Sequence, residues 1–547
     1  MNRLSNPSNP GVLWGLALLF ALAVAVRLGA LHVGSPFITI DDKTAFEGGF
    51  LVWFGQAPPQ RMYLESWLYG LVCICTYIVR LLTHAANGGF DVSLVAHAYR
   101  DFYTNPEPYT VAYRLFTLVL DLATTFVVYL IAKRALADRW RGWAAFCVAA
   151  MYLLTYNTLW SGLVARPDSV VAFFASVGVL LYLKSNQGRD RAFLAYSAVA
   201  LGCAAGMKLH GAFASIFVCI DLLRVHGFFA GLRKAVRVAL ISGFIFCVTA
   251  GSPLFDPLMY LKLRAANYTD DHSPWLLWGN QFLVMLKGSG WVALPAALLG
   301  IWFLLTRRDR PATKADQDVR SIMVFGVGWL VLFALIRQLR AYWMLPALPV
   351  FYVLAMYGIT AIPRRALAIA SAAVVLVALG VQLLMQFHEL KSARYDELRE
   401  WATANTRGKP FYIVGYDALI LPKNTECIGN TARVLEQGLV EDAASGIPFT
   451  LRHVKSWEER STLMLFDMLE RQNEPGYEFY DSYSTPPAAL EKVVSLDRFQ
   501  FLVVQEGFAL HLVPEVKARL ADYHPVAEKY GAGGEALGLK YTIYQRR

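Results

Sequence analysis

Charge is scarce in this chain. Asp, Glu, Lys and Arg make up 17% of its 547 residues, against about a quarter in soluble proteins. With 56% hydrophobic residues and a mean hydropathy of +0.40, that scarcity excludes an ordinary soluble enzyme and points to a polytopic membrane protein. Cysteine is sparse where it would matter. Of seven Cys, six (Cys73, Cys75, Cys147, Cys203, Cys219 and Cys247) sit in apolar segments and Cys427 stands alone near the C-terminus. A lone cysteine forms no disulfide within its own domain, and no Cys/His spacing matches a zinc site or a redox motif. Internal repeats and low-complexity segments are missing, which argues against a transporter built from inverted repeats. The apolar stretch Gly11–Val26 lacks a small-residue cleavage site after it, so it reads as a retained anchor.

What the chain does have is long apolar runs before residue 388 and polar sequence after it. Two parts are expected: a membrane domain over 1–390 and a soluble domain over 391–547, long enough to bury its own core. Eleven apolar segments, from about 11–33 to 366–387, are long enough, or nearly so, to span a bilayer. A twelfth, Trp67–Leu82, follows Pro58-Pro59 and is flanked by Arg61, Glu65 and Arg80. It reads as a helix lying in the interface rather than as a span. In the soluble part, strand-like runs at 410–415, 499–504 and 540–544 alternate with helical stretches at 456–471 and 514–523, the pattern of a small α/β domain.

The net charge is +10, but the cations concentrate in the short loops 133–141, 184–191, 224–237, 307–320 and 364–365. That is the positive-inside pattern of a membrane protein and gives no reason to invoke nucleic acid. With Trp67–Leu82 in the interface, it places the N-terminus in the cytoplasm, and the loops 34–110 and 251–288 and the C-terminal domain outside. Were that segment a span, the N-terminus would lie outside and the first loop in the cytoplasm. Long loops held by a rigid scaffold are where chemistry concentrates. The first of them carries Asp41-Asp42 within a few residues of the membrane surface. Adjacent carboxylates repel, which tends to raise one pKa and suits a general base.

The features form an ordered set. Arg27 lies near the outer end of the first span, followed by Asp41-Asp42, Ala57-Pro58-Pro59, an amphipathic helix, and Arg114 opening the next span. Later come 160–168 (WSGLVARPD) and 337–349 (RQLRAYWMLPALP). Over about 1–390 this order resembles the GT-C glycosyltransferases that use polyprenyl-phosphate sugars, including protein O-mannosyltransferases and lipid A aminoarabinose transferases. The chain departs from them in having Asp-Asp where they more often have Asp-Glu, and in lacking their His-Pro-Pro. The resemblance implies an inner (plasma) membrane enzyme that moves a sugar from a polyprenyl-phosphate donor to a glycan, lipid or protein acceptor on the outer face. A ligase or polymerase moving a whole lipid-linked glycan, and a lipid or glycan transporter, are the rival readings.

Such a reaction needs a carboxylate to take the acceptor hydroxyl's proton and cations to stabilise the departing phosphate. By its place after the first span, Asp41 matches the family's base, with Asp42 as second choice. Asp168 matches its second acidic position, for the sugar or to assist the base. As a residue before an apolar run, it is equally a helix cap. Arg61, Lys208, Arg337 and Arg340 are candidates for phosphate contact, with Tyr342 as a hydrogen-bond donor. Lys208 reads equally as a snorkelling residue, and Arg27 as an anchor. Asp121, mid-span and two turns from Arg114, is expected to pair with it. The residues point to no certain cofactor. The acids and His272 in 267–272 (NYTDDH) leave a divalent metal as a minor alternative.

Overall fold

The computed structural model describes residues 10–32, 64–84, 107–136, 140–164, 166–250, 274–306, 313–335, 341–392, 397–407, 409–414, 426–427, 430, 433–434, 478–481, 487–507, 510, 513–531 and 539–547. The chain divides into two compact units. One comprises Met1–Leu31, Met62–Glu65 and Arg114–Phe387, and the other His32–Arg61, Ser66–Tyr113 and His388–Arg547.

In chain order the helices are α1 (Pro10–Leu28), α2 (Leu64–His84), α3 (Glu107–Ala135), α4 (Trp143–Leu154), α5 (Tyr156–Leu163), α6 (Asp168–Lys184) and α7 (Arg191–Met207). They continue with α8 (Ala212–His226), α9 (Phe228–Ala250), α10 (Pro274–Ser289), α11 (Ala293–Thr306), α12 (Lys314–Leu335), α13 (Leu348–Thr360) and α14 (Arg365–Ser392). Two 3₁₀ turns, Leu209–Gly211 and Ala341–Ala347, precede α8 and α13. Among the described residues, six helical stretches are long and apolar enough to cross a membrane: 10–28, 107–135, 209–226, 314–335, 341–360 and 365–389. A seventh span results if 281–289 and 293–306, which meet at a 96° bend, count as one. The protein is thus multi-pass; among the described residues the count by this measure is six or seven, where the sequence suggested eleven. Apolar sequence is broken into short helices: α4 has 12 residues, and α6 and α7 have 17 each, below the ~20 that a hydrocarbon core requires. The apolar helix within 64–84 covers only 68–79.

Helix α13 is buried from Leu348 to Ile359, the condition of a helix that is hydrophobic all round. It packs against α11 at a glycine pair. A Cβ on Gly300 would lie 2.0 Å from the Leu354 carbonyl oxygen, and one on Gly358 would lie 2.7 Å from the Gly300 nitrogen. The two backbones therefore touch, as small residues permit in membrane helix pairs.

Polar groups inside this unit are paired across helices. Arg27 on α1 and Asp121 on α3, both buried, form an ion pair at 3.2 Å. This corrects the expected Asp121–Arg114 pair. Residues seven apart on one helix are about 10 Å apart along its axis, and Arg114 turns instead to backbone carbonyls, donating to Leu163 at 3.0 Å and to Leu31. Removing one partner of a buried pair strands the other charge, at a cost of about 3–5 kcal/mol. Arg27→Met is therefore expected to destabilise the protein by about that amount, read as a drop in thermal unfolding temperature. Adding Asp121→Leu is expected to restore most of the loss.

The second unit holds a five-stranded mixed sheet in the order β2-β1-β3-β5-β4. The strands are β1 (Phe411–Val414), β2 (Phe479–Asp481), β3 (Phe501–Gln505), β4 (Tyr523–Gly531) and β5 (Leu539–Arg546). β1 runs parallel to β2 and β3, with Ile413 opposite Val503, and β5 is antiparallel to β3 and β4. The three strand-like runs seen in the sequence are β1, β3 and β5. Alternation sends Phe411, Ile413, Phe501, Val503, Tyr541 and Ile543 to one face against Leu398 and Trp401 of α15 (Glu397–Asn405). Tyr412, Val414, Leu502 and Val504 face Cys427, Leu490 and Val516 on the other side, where α16 (Pro487–Leu490) and α17 (Pro514–Arg519) pack. Trp401 meets Phe411 and Phe501 edge-on, with centroids at 6.0 and 5.2 Å. Trp401→Ala is expected to cost about 3–5 kcal/mol and to lower the unfolding temperature of the β-sheet signal.

Candidate active site

Three stretches of the first unit converge on one buried carboxylate. The first is positioned by a helix break. Between α4 and α5, Thr155 is extended (φ −71°, ψ 133°), and its hydroxyl lies 2.5 Å from the Tyr352 hydroxyl, which donates to the Ser289 carbonyl at 2.9 Å. From α5, the Asn157 amide donates to the carbonyls of Gly288 at 2.7 Å and Ala341 at 2.8 Å. That fixes the start of the 341–347 turn beside α5. The Thr117 hydroxyl donates to the Gly162 carbonyl at 2.8 Å, and with Arg114 on Leu163 it clamps the end of α5 to α3. The chain then passes through Arg166 and Pro167 into α6.

Asp168 is the first residue of α6 and is fully buried. It does not occupy the cap position: Pro167 does, without a side-chain cap hydrogen bond. The positive end of α6 favours a carboxylate there, and Lys208, at the end of α7, holds it. The Lys208 ammonium lies 3.0 and 3.3 Å from the two carboxylate oxygens. His210 Nε2 is 4.0 Å from the nearer one, and its ring stacks on Trp343 with centroids 6.1 Å apart at 16°. The Arg166 guanidinium sits 4.2 Å from the centre of the Tyr342 ring, and the Lys208 ammonium is 5.1 Å from it and 5.6 Å from that of Trp343. One carboxylate, two cations and an imidazole are thus gathered with two aromatic rings whose faces attract cations. Asp168 is met by Lys208, and Arg166 stands over the Tyr342 ring beside the pair.

Of the candidates from the sequence, the structure brings Asp168, Lys208 and Tyr342 together. Asp41, Asp42, Arg61, Arg337 and Arg340 lie outside the described residues, as does the stretch 267–272. Among the described residues, no group of three or more His, Cys, Asp and Glu has the proximity to hold a metal. Arg166, His210 and Trp343 were not singled out from sequence. Each lies within two residues of a candidate, in Arg166-Pro167-Asp168, Lys208-Leu209-His210 and Tyr342-Trp343, and that adjacency was the available signal. Lys208 does not simply snorkel, since its ammonium is bound to a buried acid. Arg27 is not an exposed anchor, since it is buried and paired.

The family model for dolichyl-phosphate-mannose-protein mannosyltransferase matches residues 79–269, the stretch that supplies Arg166, Asp168, Lys208 and His210. The structure is similar to that of ArnT from Cupriavidus metallidurans bound to undecaprenyl phosphate, at 12% identity and a TM-score of 0.50, over 96% of this chain and 97% of that one. The chain has the fold of the GT-C superfamily of membrane glycosyltransferases. The oligosaccharyltransferase AglB from Archaeoglobus fulgidus, in complex with an inhibitory peptide and a dolichol-phosphate, also aligns, at 10% identity and a TM-score of 0.43, over 90% of this chain and 69% of AglB. No curated protein matches the sequence. Within the GT-C fold, the Asn157 clamp has a testable consequence. Asn157→Ala leaves the buried Gly288 carbonyl and the half-buried Ala341 carbonyl without this donor, at about 1–3 kcal/mol for the buried one. It is expected to loosen the 341–347 turn, seen as faster amide exchange at Tyr342 and Trp343 than in the wild type.

Proposed function

We propose that this GT-C protein transfers a sugar from a polyprenyl phosphate to an acceptor hydroxyl on the outer face of the membrane, by direct inverting displacement. The observation that carries the reading is the Asp168–Lys208 pair set among Arg166, His210, Tyr342 and Trp343, a cationic and aromatic cluster at the N-terminal end of α6. A phosphate leaving group is stable as an anion and needs no general acid, only positive charge where its own charge gathers. Lys208 and Arg166 supply that charge, assisted by Arg61, Arg337 and Arg340. Tyr342 donates a hydrogen bond to the donor, and Asp168 orients the sugar or the base. Asp41 takes the proton from the acceptor hydroxyl, with Asp42 beside it. The family-model match over 79–269 and the likeness to a structure holding undecaprenyl phosphate support this donor class. The proposed orientation has a cytoplasmic N-terminus, and the domain over 391–547 lies on the outer side with the acceptor.

Mass spectrometry of lipids that co-purify with the protein tests the donor. The reading expects a polyprenyl phosphate or its monosaccharide ester, enriched over its level in the bulk membrane extract. An enriched polyprenyl-linked oligosaccharide would point to transfer of a whole glycan instead. In proteoliposomes, passage of intact donor lipid from one leaflet to the other without sugar transfer would establish a transporter and overturn the proposal.

A further inference from the structure

At the far end of α6 from Asp168 the chain makes an unusual turn. Asn186, Gln187 and Gly188 follow one another with φ of +52°, +55° and +83°. Two of the three are not glycine, so the backbone carries strain that its surroundings must offset. Those surroundings form a dense polar lock. Arg134 reaches Asp318 at 2.8 Å and Asn186 at 3.0 Å, and the Gln187 amide donates to the same Asp318 carboxylate. His226 donates to the Gln187 carbonyl at 2.7 Å, and Lys234 to that of Gly188 at 2.8 Å. Four side chains from four helices, Arg134, Asp318, His226 and Lys234, are committed to holding one short loop. Such strain is retained where a surface must be presented in a fixed form.

The loop presents cations. Arg189 and Arg191 are exposed at its end, and Arg233 and Arg237 are exposed on α9. Helices α7 and α9 run parallel. Gly202 lies against Ser242 and Ile245, and Gly206 against Thr249, which sets Arg191 level with Lys234. Burial and then the positive charges of Arg189 and Arg191 lower the pKa of the Lys234 amine, as crowding of cations requires. The carboxylates nearby are already engaged. Asp190 accepts from the backbone of Ala192 and Phe193 at the start of α7, Asp318 holds Arg134, and Asp221 holds Arg224 at 2.6 Å. Among the described residues no acid pairs with Arg189, Arg191, Arg233 or Arg237.

Directly beyond the cations the surface is apolar. On α9, Leu232, Val236, Leu240, Phe244 and Val248 recur every four residues and are exposed, Leu240 and Phe244 at 68% each, and Tyr196 and Val199 are exposed on α7. Phe228 and Phe229, the latter 85% exposed, stand at the charged end. Aromatic side chains at that level belong to the interface between head groups and acyl chains.

We infer that the 186–191 loop and the first turns of α9 form a binding site for the head group of an anionic glycerophospholipid. The phosphate sits among Arg189, Arg191, Arg233 and Arg237, and the acyl chains follow the exposed stripe of α9. A free phosphate or a soluble acidic protein would gain nothing from that stripe. A zwitterionic head group brings its own cation into four that are already uncompensated.

Native mass spectrometry of the full-length protein in detergent, titrated with equal amounts of phosphatidylglycerol and phosphatidylcholine, tests the site. The wild type is expected to retain phosphatidylglycerol at least ten-fold better. Arg189→Gln, Arg191→Gln, Arg233→Gln and Arg237→Gln combined are expected to remove that preference. Arg364→Gln with Arg365→Gln, which neutralises exposed cations at the start of α14, is expected to leave it intact. Phe228→Ala with Phe229→Ala is expected to weaken binding of both lipids while keeping the preference. The inference is overturned if the quadruple variant keeps the wild-type preference, if the α14 control loses it equally, or if millimolar inorganic phosphate displaces the lipid. Unchanged size-exclusion profiles of the variants establish that the comparison is between folded proteins.

Discussion

Lys208→Ala is expected to slow sugar transfer by about 10²–10³-fold, the effect of removing one group that stabilises charge developing in a transition state. The physical reason lies in where charge moves. In the resting protein the Lys208 ammonium is 3.0 Å from the Asp168 carboxylate and faces the rings of Tyr342 and Trp343. A departing phosphate concentrates negative charge on its oxygens, and a preformed ammonium meets it without reorganisation. The substitution has a second consequence, because Asp168 is fully buried and is left without its closest cation. Stability is expected to fall as well, and Lys208→Arg separates the two effects. It keeps the charge, and with it the fold, while the planar guanidinium changes how the phosphate is met. Lys208→Arg is thus expected to unfold near the wild-type temperature and to transfer sugar at an intermediate rate, with the loss in kcat. Normal turnover in Lys208→Ala would remove Lys208 from the phosphate site.

Asp41→Asn is expected to lower kcat by about 10²–10⁴-fold, the contribution of a positioned general base. Asn is nearly isosteric and retains hydrogen bonding, so binding of the donor is expected to stay close to the wild type's. The acceptor hydroxyl alone loses its proton acceptor. Asp42→Asn is expected to have the smaller effect, since Asp42 is the second choice for the base. The reverse order would exchange the two roles. Equal and small effects would mean that the pair merely ends a solvated loop.

The sequence conveyed the membrane class through its shortage of charge, and three of the strands through the apolar runs at 410–415, 499–504 and 540–544. It also marked the right stretches for the candidate site. WSGLVARPD, the Lys208 hairpin and the 337–349 segment drew notice separately, and the structure joins Arg166, Asp168, Lys208, His210, Tyr342 and Trp343 from them. What the sequence lacked was partners. An apolar run does not reveal that Arg27, ninety-four positions away, meets Asp121, because helix pairing is set by packing and not by local spacing. Nor did it show that Lys208 neutralises Asp168 or that His210 lies flat on Trp343. Span number was the least legible feature. A helix of 17 residues and one of 20 look alike in hydropathy, and a bend of 96° between apolar halves leaves only Gly288, Gly290 and a few neighbours as its trace in sequence.

The account turns on a sugar leaving a lipid phosphate by attack from the opposite face. The most direct measurement is NMR assignment of the anomeric configuration in the product formed by purified wild-type protein from a polyprenyl-phosphate sugar of known anomer. Inversion, with one polyprenyl phosphate released per sugar transferred, is the predicted result. Retention of configuration, or release of the sugar still bearing phosphate, would contradict it.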